Sequence, residues 1–214
     1  MNALVDDNIV IHNFCESRIN NNEPPEIVNA YTSFFITYIP FYFGFPINYY
    51  FINVTILFIL NGFASFYYHY YLTYLGKQYD EICMIMINYY MLLGLMNIHY
   101  NDKHIIQKYH YYNKLFTISF ILFNFIQYFD FLFPILFILY VLPSLFYIYG
   151  ITCKKHYKYH YLYISLFGFG CWIISEVYCN EYTYLGHAIW HLTFPLGFYK
   201  LMLLYDKNHR INVY

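Results

Sequence analysis

Charge is what this sequence has least of. Only 11% of its 214 residues are Asp, Glu, Lys or Arg, while 60% are hydrophobic. Soluble domains carry roughly 25% charged residues. A soluble fold of this length has too few polar residues here to cover its surface, so a soluble globular domain is excluded. The apolar content also excludes a disordered chain. There is no basic excess either: the formal net charge is −1 and the pI about 6.8. That excludes a nucleic-acid binder with a basic face. The first 26 residues lack a basic start, an apolar run and a small-residue cleavage site, so no signal peptide is predicted. Lipidation signals are missing at both ends. The strict alternation of membrane β-strands is absent. What is abundant is aromatic: 31 Tyr and 23 Phe. Interfacial Tyr belts account for part of this, and the Tyr-rich text at 67–71 and 109–112 reads as compositional bias. The chain reads as an all-α membrane protein.

Seven apolar blocks follow the polar opening, at about 28–46, 51–74, 81–98, 115–129, 132–151, 161–179 and 184–204. Their lengths suit bilayer crossings at about 1.5 Å per residue, and backbone groups in lipid must be satisfied within a helix. The expected organisation is a luminal tail over 1–26, a seven-transmembrane bundle over 27–205 and a cytoplasmic tail over 206–214. Spans four and five are separated only by Asp130, and one broken helix there reduces the count to six. Pro40 is expected to kink the first span. Seven spans put Arg18 and Lys77 on one side with ten acidic residues, and nine basic residues on the other with Asp102 and Asp206. By the positive-inside rule the N-terminus is then luminal and the C-terminus cytoplasmic. The histidines of the basic loops (His99, His104, His110, His156, His160) read as solvated and low-complexity.

Five cysteines are sorted by this topology. Cys15 and Cys179 fall on the oxidising luminal side, where a disulfide persists, and a bridge between them is expected; two free thiols are the alternative. Cys153 lies at the cytoplasmic end of span five, and Cys171 is mid-membrane, where a free thiol behaves as a small hydrophobe.

Polar groups inside the membrane carry the functional signal. Ser65 and His69 are one turn apart on span two, Asp80 and Glu81 open span three, and His187 and His191 are one turn apart at the start of span seven. The orientation puts all of these at similar depth. Three imidazoles with an open position suit catalytic zinc, which lowers the pKa of bound water to near 7. Asp80 is then a candidate proton acceptor and Ser65 a candidate donor to an oxyanion. Glu81 points about 100° from Asp80 and reads as a helix N-terminal charge or as a group that supports the site from behind. Asp130 reads as a loop charge, and Glu176 as either luminal or inside the bundle.

These residues resemble the alkaline ceramidase family, seven-span hydrolases related to adiponectin/progestin-type receptors. The similarity runs over roughly 13–205. It rests on Gly62-Phe63-Ala64-Ser65-Phe66-Tyr67-Tyr68-His69, on Asp80-Glu81-Ile82-Cys83-Met84, and on His187-Ala188-Ile189-Trp190-His191 followed by Leu196-Gly197-Phe198-Tyr199. Trp172, seven residues before Cys179, belongs to the same pattern. The resemblance implies zinc on His69, His187 and His191, Asp80 at the zinc water, Ser65 beside the reacting carbonyl, and a Cys15–Cys179 disulfide. It implies hydrolysis of ceramide, a membrane lipid, to a sphingoid base and a fatty acid, in an endoplasmic reticulum or Golgi membrane.

Departures cluster in the tail, where the family binds calcium. Phe14, through its carbonyl, Glu16 and Glu26 match ligand positions, but Asn13 replaces a carboxylate and Arg18 puts a cation at a ligand position. Calcium takes six to eight oxygens, several of them charged. Weak or absent calcium binding is expected, with Arg18 pairing Glu16 or Glu26 in its place. In span six the family's Asp is Ser175, with Glu176 one position later. Two other functions stand beside the first: a receptor or lipid-binding protein with a structural zinc, and a related hydrolase on another lipid. Retention of Ser65 and Asp80 argues against a structural zinc, which needs neither.

Overall fold

A computed structural model describes residues 14–20, 24–99, 103–125, 133–154 and 159–211. Among them all helical and strand-type elements are helices. A one-turn helix, α1 (Cys15–Ile19), precedes seven long ones: α2 (Ile27–Phe43), α3 (Tyr49–Tyr71), α4 (Tyr74–His99), α5 (Lys103–Asn124), α6 (Phe133–Lys154), α7 (Tyr159–Val177) and α8 (Gly186–Ile211). They follow the seven apolar blocks in order. Three of them are long and apolar enough to cross a bilayer: α3, α4 and residues Ile135–Thr152 of α6. Large apolar side chains such as Phe41, Leu60, Phe63, Leu122, Leu139 and Phe146 face outward, as on a lipid-facing bundle and unlike a soluble one.

Helix α2 packs between α3 and α8, α3 also packs on α4, and α7 packs on α8. The core between them is built from Phe51, Phe58, Met91, Leu95, Tyr199 and Met202. A second cluster joins α4, α5 and α6 through Ile85, Phe120, Phe137 and Tyr140. Close approach needs residues without bulk at the crossings, as in membrane helix pairs. A Cβ on Gly62 would meet the Thr37 side chain of α2, and one on Gly197 would meet the Tyr161 carbonyl and Ser165 of α7. Backbone cannot rotate away as a side chain can. Gly197→Ala is therefore expected to destabilise the bundle by about 1–3 kcal/mol, the usual range for overpacking. A lowered thermal midpoint in detergent measures it.

Local chemistry sets the helix boundaries, and several differ from the expected spans. Helix α2 contains Pro40 and stops at Gly44, whose φ of 90° suits glycine alone among ordinary residues. Asn48 caps α3 by accepting from the Tyr50 N–H. At its far end α3 stops at Leu72, in the left-handed region. Thr73 then accepts from the Gly76 N–H, and α4 starts at Tyr74, not at 81. This brings Lys77 into the helix, where it pairs with Glu81 at 3.5 Å with both side chains buried. Glu81 is thus a buried one-turn partner of Lys77, and not a free charge at a helix end. His104 and His110 also lie within a helix, α5, and His99 ends α4. The His110 ring nitrogen is 3.3 Å from the Tyr89 hydroxyl, so these side chains are not all loop residues. Helix α8 continues through the stretch read as a tail. Its Asp206 is buried and accepts from the Ile47 and Asn48 N–H groups at 3.0 and 2.9 Å, tying the α2–α3 turn to α8. Asn13, Asp130, His156 and Lys158 lie outside the described residues, as do residues 126–132 between α5 and α6.

Candidate metal centre

Antiparallel packing puts the start of α2, the end of α3 and the start of α4 at one end of the bundle. The end of α7 and the start of α8 join them, so that Ser65, His69, Asp80, Glu176, His187 and His191 lie at that end. The expected disulfide is there too: Cys15 bonds Cys179 and fixes α1 beside the end of α7.

His69, His187 and His191 converge, each buried, and each offers a ring nitrogen so that the three atoms lie within 4.8 Å of one another. Ring centroids are 5.0 Å apart for His69 and His187, 5.1 Å for His69 and His191, and 4.6 Å for His187 and His191. On α8 the cause is helical period: one turn separates His187 from His191.

Two of the imidazoles, those of His69 and His191, have an oxygen within hydrogen-bond reach of Nδ1. His69 Nδ1 is 2.5 Å from Glu26 Oε2, and the His69 carbonyl accepts from the Glu26 N–H at 2.9 Å. His191 Nδ1 is 3.2 Å from the Thr32 hydroxyl of α2. His187 Nδ1 lies 3.9 Å from Glu176 Oε1. Meanwhile Nε2 of both His69 and His191 is buried with no hydrogen-bond partner. A buried ring nitrogen left without a partner is costly unless it serves a ligand. Metal-bound imidazoles characteristically have one nitrogen held by oxygen and the other directed at the ion. The donor set therefore fits a zinc ion, for which neutral imidazole is a good ligand.

Asp80 stands beside this triad on α4 and is buried. The Asn61 amide donates to its carboxylate at 2.7 Å and to its carbonyl at 3.2 Å. The Ser65 hydroxyl is also hydrogen-bonded to the carboxylate. Sequence reasoning missed Asn61, although Asn61, Ser65 and His69 form one polar stripe at four-residue spacing on an apolar helix. It also missed Thr32, which has no such signal.

The residues that the resemblance reads as calcium ligands make these contacts. Glu16 accepts from the N–H groups of Val28 and Asn29 at the start of α2, at 2.8 and 2.9 Å. Burial pushes its carboxyl up, against the pull of those two N–H donors. Glu26 takes His69 and also accepts from Ser17 and, at 3.3 Å, from Asn29. Phe14 packs its ring edge-on against His187, with centroids 4.2 Å apart. The sequence suggested Glu16 or Glu26 as the partner of Arg18, but its guanidinium turns to another carboxylate. It reaches Glu176 at 2.8 Å. This resolves the ambiguous Glu176 as a partner of the N-terminal helix.

An apolar cavity lies beside Asn61, the residue that holds Asp80. It is lined by Ile36, Phe58, Asn61, Phe137, Trp190 and Phe198, among others, and so lies between α2, α3, α4, α6 and α8. Asn61, bonded to Asp80, and Trp190, between His187 and His191 on α8, line this cavity next to the triad.

Comparison with known proteins adds one finding of family. A family model described as Ceramidase matches residues 10–211. Among curated proteins nothing matches.

Proposed function

The chain belongs to the ceramidase family, whose members hydrolyse the amide of ceramide, and on that premise we propose that it is a zinc-dependent amidase working within the membrane. Its products are a sphingoid base and a free fatty acid. The observation that carries this reading is the pair of partnerless Nε2 atoms on His69 and His191, beside a carboxylate held by Asn61 and Ser65. A zinc that served structure alone would need no such carboxylate.

His69, His187 and His191 would hold the ion. Zinc, when bound, makes water a nucleophile at neutral pH and polarises a carbonyl. The remaining work falls to the chain. The apolar cavity takes a lipid chain and leaves the amide at its polar end, near Asn61. Asp80 accepts a proton as water oxygen bonds to the amide carbon. It then gives that proton to the nitrogen as the carbon–nitrogen bond breaks. Ser65 has a single hydroxyl proton. When it turns to the substrate oxygen, Asn61 still holds Asp80 in place through a 2.7 Å bond. The seven-span arrangement with a luminal site and cytoplasmic C-terminus is part of the same proposal, supported by the charge asymmetry. An endoplasmic reticulum or Golgi membrane agrees with it.

Ceramide in detergent micelles tests the reading: equimolar sphingoid base and fatty acid are expected, and no turnover of ceramide contradicts it. The second expectation concerns calcium. Glu16 and Glu26 are engaged with α2 and His69, and Arg18 places a fixed cation nearby. A calcium-selective chelator is expected to leave the rate within about twofold, since less than about 0.4 kcal/mol of the barrier then depends on that ion. A loss of tenfold or more restores Glu16, Glu26 and the Phe14 carbonyl as calcium ligands.

A further inference from the structure

Two of the three triad imidazoles are held by oxygens of Glu26, just before α2, and of Thr32 within it. The third, His187, faces Glu176 at the end of α7. We propose that Glu176, clamped by Arg18, is a positioning residue that fixes the ring of His187 for metal binding. This rests on the zinc reading above.

Four contacts converge on Glu176. Its Oε2 takes the Arg18 guanidinium at 2.8 Å, and its carbonyl takes the same Nη2 at 3.0 Å. Its Oε1 lies 3.5 Å from the Cys15 N–H and 3.9 Å from His187 Nδ1. The neighbouring disulfide joins the two segments that carry Arg18 and Glu176. A lone exposed ion pair contributes little. Here one arginine nitrogen bridges side chain and main chain of the same residue, which sets the carboxylate's direction. That direction is toward His187. The 3.9 Å separation is longer than a hydrogen bond, and a shift of about 0.7 Å by either side chain closes it. Phe14 also packs on the His187 ring, with its centroid 4.2 Å away. The imidazole thus has an aromatic ring and a carboxylate as neighbours. An oxygen acceptor on Nδ1 fixes the tautomer that presents Nε2 to an ion.

Zinc affinity of the purified full chain tests this, measured by competition with a chromophoric chelator, together with the thermal midpoint of the zinc-free protein. Glu176→Gln is expected to weaken zinc binding about 10–100-fold, the usual cost of removing such a partner, with the zinc-free midpoint retained. Arg18→Met is expected to weaken it less. The double variant is expected to weaken it no more than Glu176→Gln alone, because both act through one carboxylate. Glu181→Gln, an exposed acid nearby, is the unchanged control. Unaltered zinc affinity in Glu176→Gln overturns the proposal, whether the zinc-free midpoint falls or not. Should Glu176→Gln fail to fold, Arg18→Met decides: weakened zinc binding supports the assignment and wild-type affinity overturns it. Failure of the wild-type chain to bind zinc overturns the zinc reading itself, a different outcome.

Discussion

His191→Ala is expected to lower ceramide hydrolysis by far more than about 100-fold, because it removes a ligand and not merely a ligand's partner. His191 is fully buried, and its Nδ1 is anchored by Thr32. No other imidazole among the described residues lies close enough to the triad to substitute for it. Two histidines and water hold zinc far less well than three. The variant should therefore be purified with little or no zinc. Truncation of a buried ring also leaves a cavity, so loss of activity alone does not separate chemistry from packing. His191→Gln is the companion, filling most of the volume while supplying a poor zinc ligand. Both variants are expected to be inactive, with His191→Gln retaining the larger part of the wild-type thermal stability. Activity retained in either contradicts the triad as the reaction centre.

Asp80→Asn is the second large effect, and it separates catalysis from metal binding. The substitution preserves shape and leaves the triad intact, so zinc content is expected to be unchanged. A positioned general acid or base contributes typically about 10²–10⁴-fold, and kcat is expected to fall by that factor. KM should move little, since Asp80 acts on the proton and not on the lipid chains. The contacts support this division. Asn61 donates to the Asp80 Oδ1 at 2.7 Å, and with Asn at position 80 the interaction survives through the amide oxygen. Ser65→Ala makes a useful contrast, because it removes a partner of Asp80 together with a donor to the substrate oxygen. A full rate in Asp80→Asn with zinc bound would remove the carboxylate from the mechanism. It would also favour the reading in which zinc is structural.

Much of the site could be read from the sequence because helical period does the assembling. A spacing of four puts Ser65 with His69, and His187 with His191, on common faces. Opposite helix directions then bring the end of α3 and the starts of α4 and α8 to one end. The same logic sorted Cys15 and Cys179 to one side, and they are bonded. Helix ends were harder. Apolar windows stop at polar residues, while backbone hydrogen bonding does not, so α4 begins at Tyr74 and carries Lys77, Gln78 and Asp80 as buried residues. The seven blocks reappear as seven long helices, yet three meet a bilayer criterion of length and apolarity.

Partner choice was the least legible part. Arg18 and Glu176 are 158 positions apart, and only the packing of α1 against the end of α7 makes them neighbours. Glu26 matched a calcium-ligand position by resemblance, but its carboxylate turns to His69. The cause is local: Glu26 precedes α2 directly, and its N–H bonds the His69 carbonyl, which fixes the side chain beside the ring. Thr32 lies two turns into an apolar helix and looks no different in sequence from Thr37, which bonds only backbone at 3.2 Å.

Metal content measured against activity tests the central claim most directly. The purified chain is expected to contain one zinc per molecule. Stripping the metal should abolish ceramide hydrolysis, and adding zinc back should restore the rate in proportion to zinc bound. Hydrolysis that continues at full rate in protein shown to be free of zinc would contradict the account.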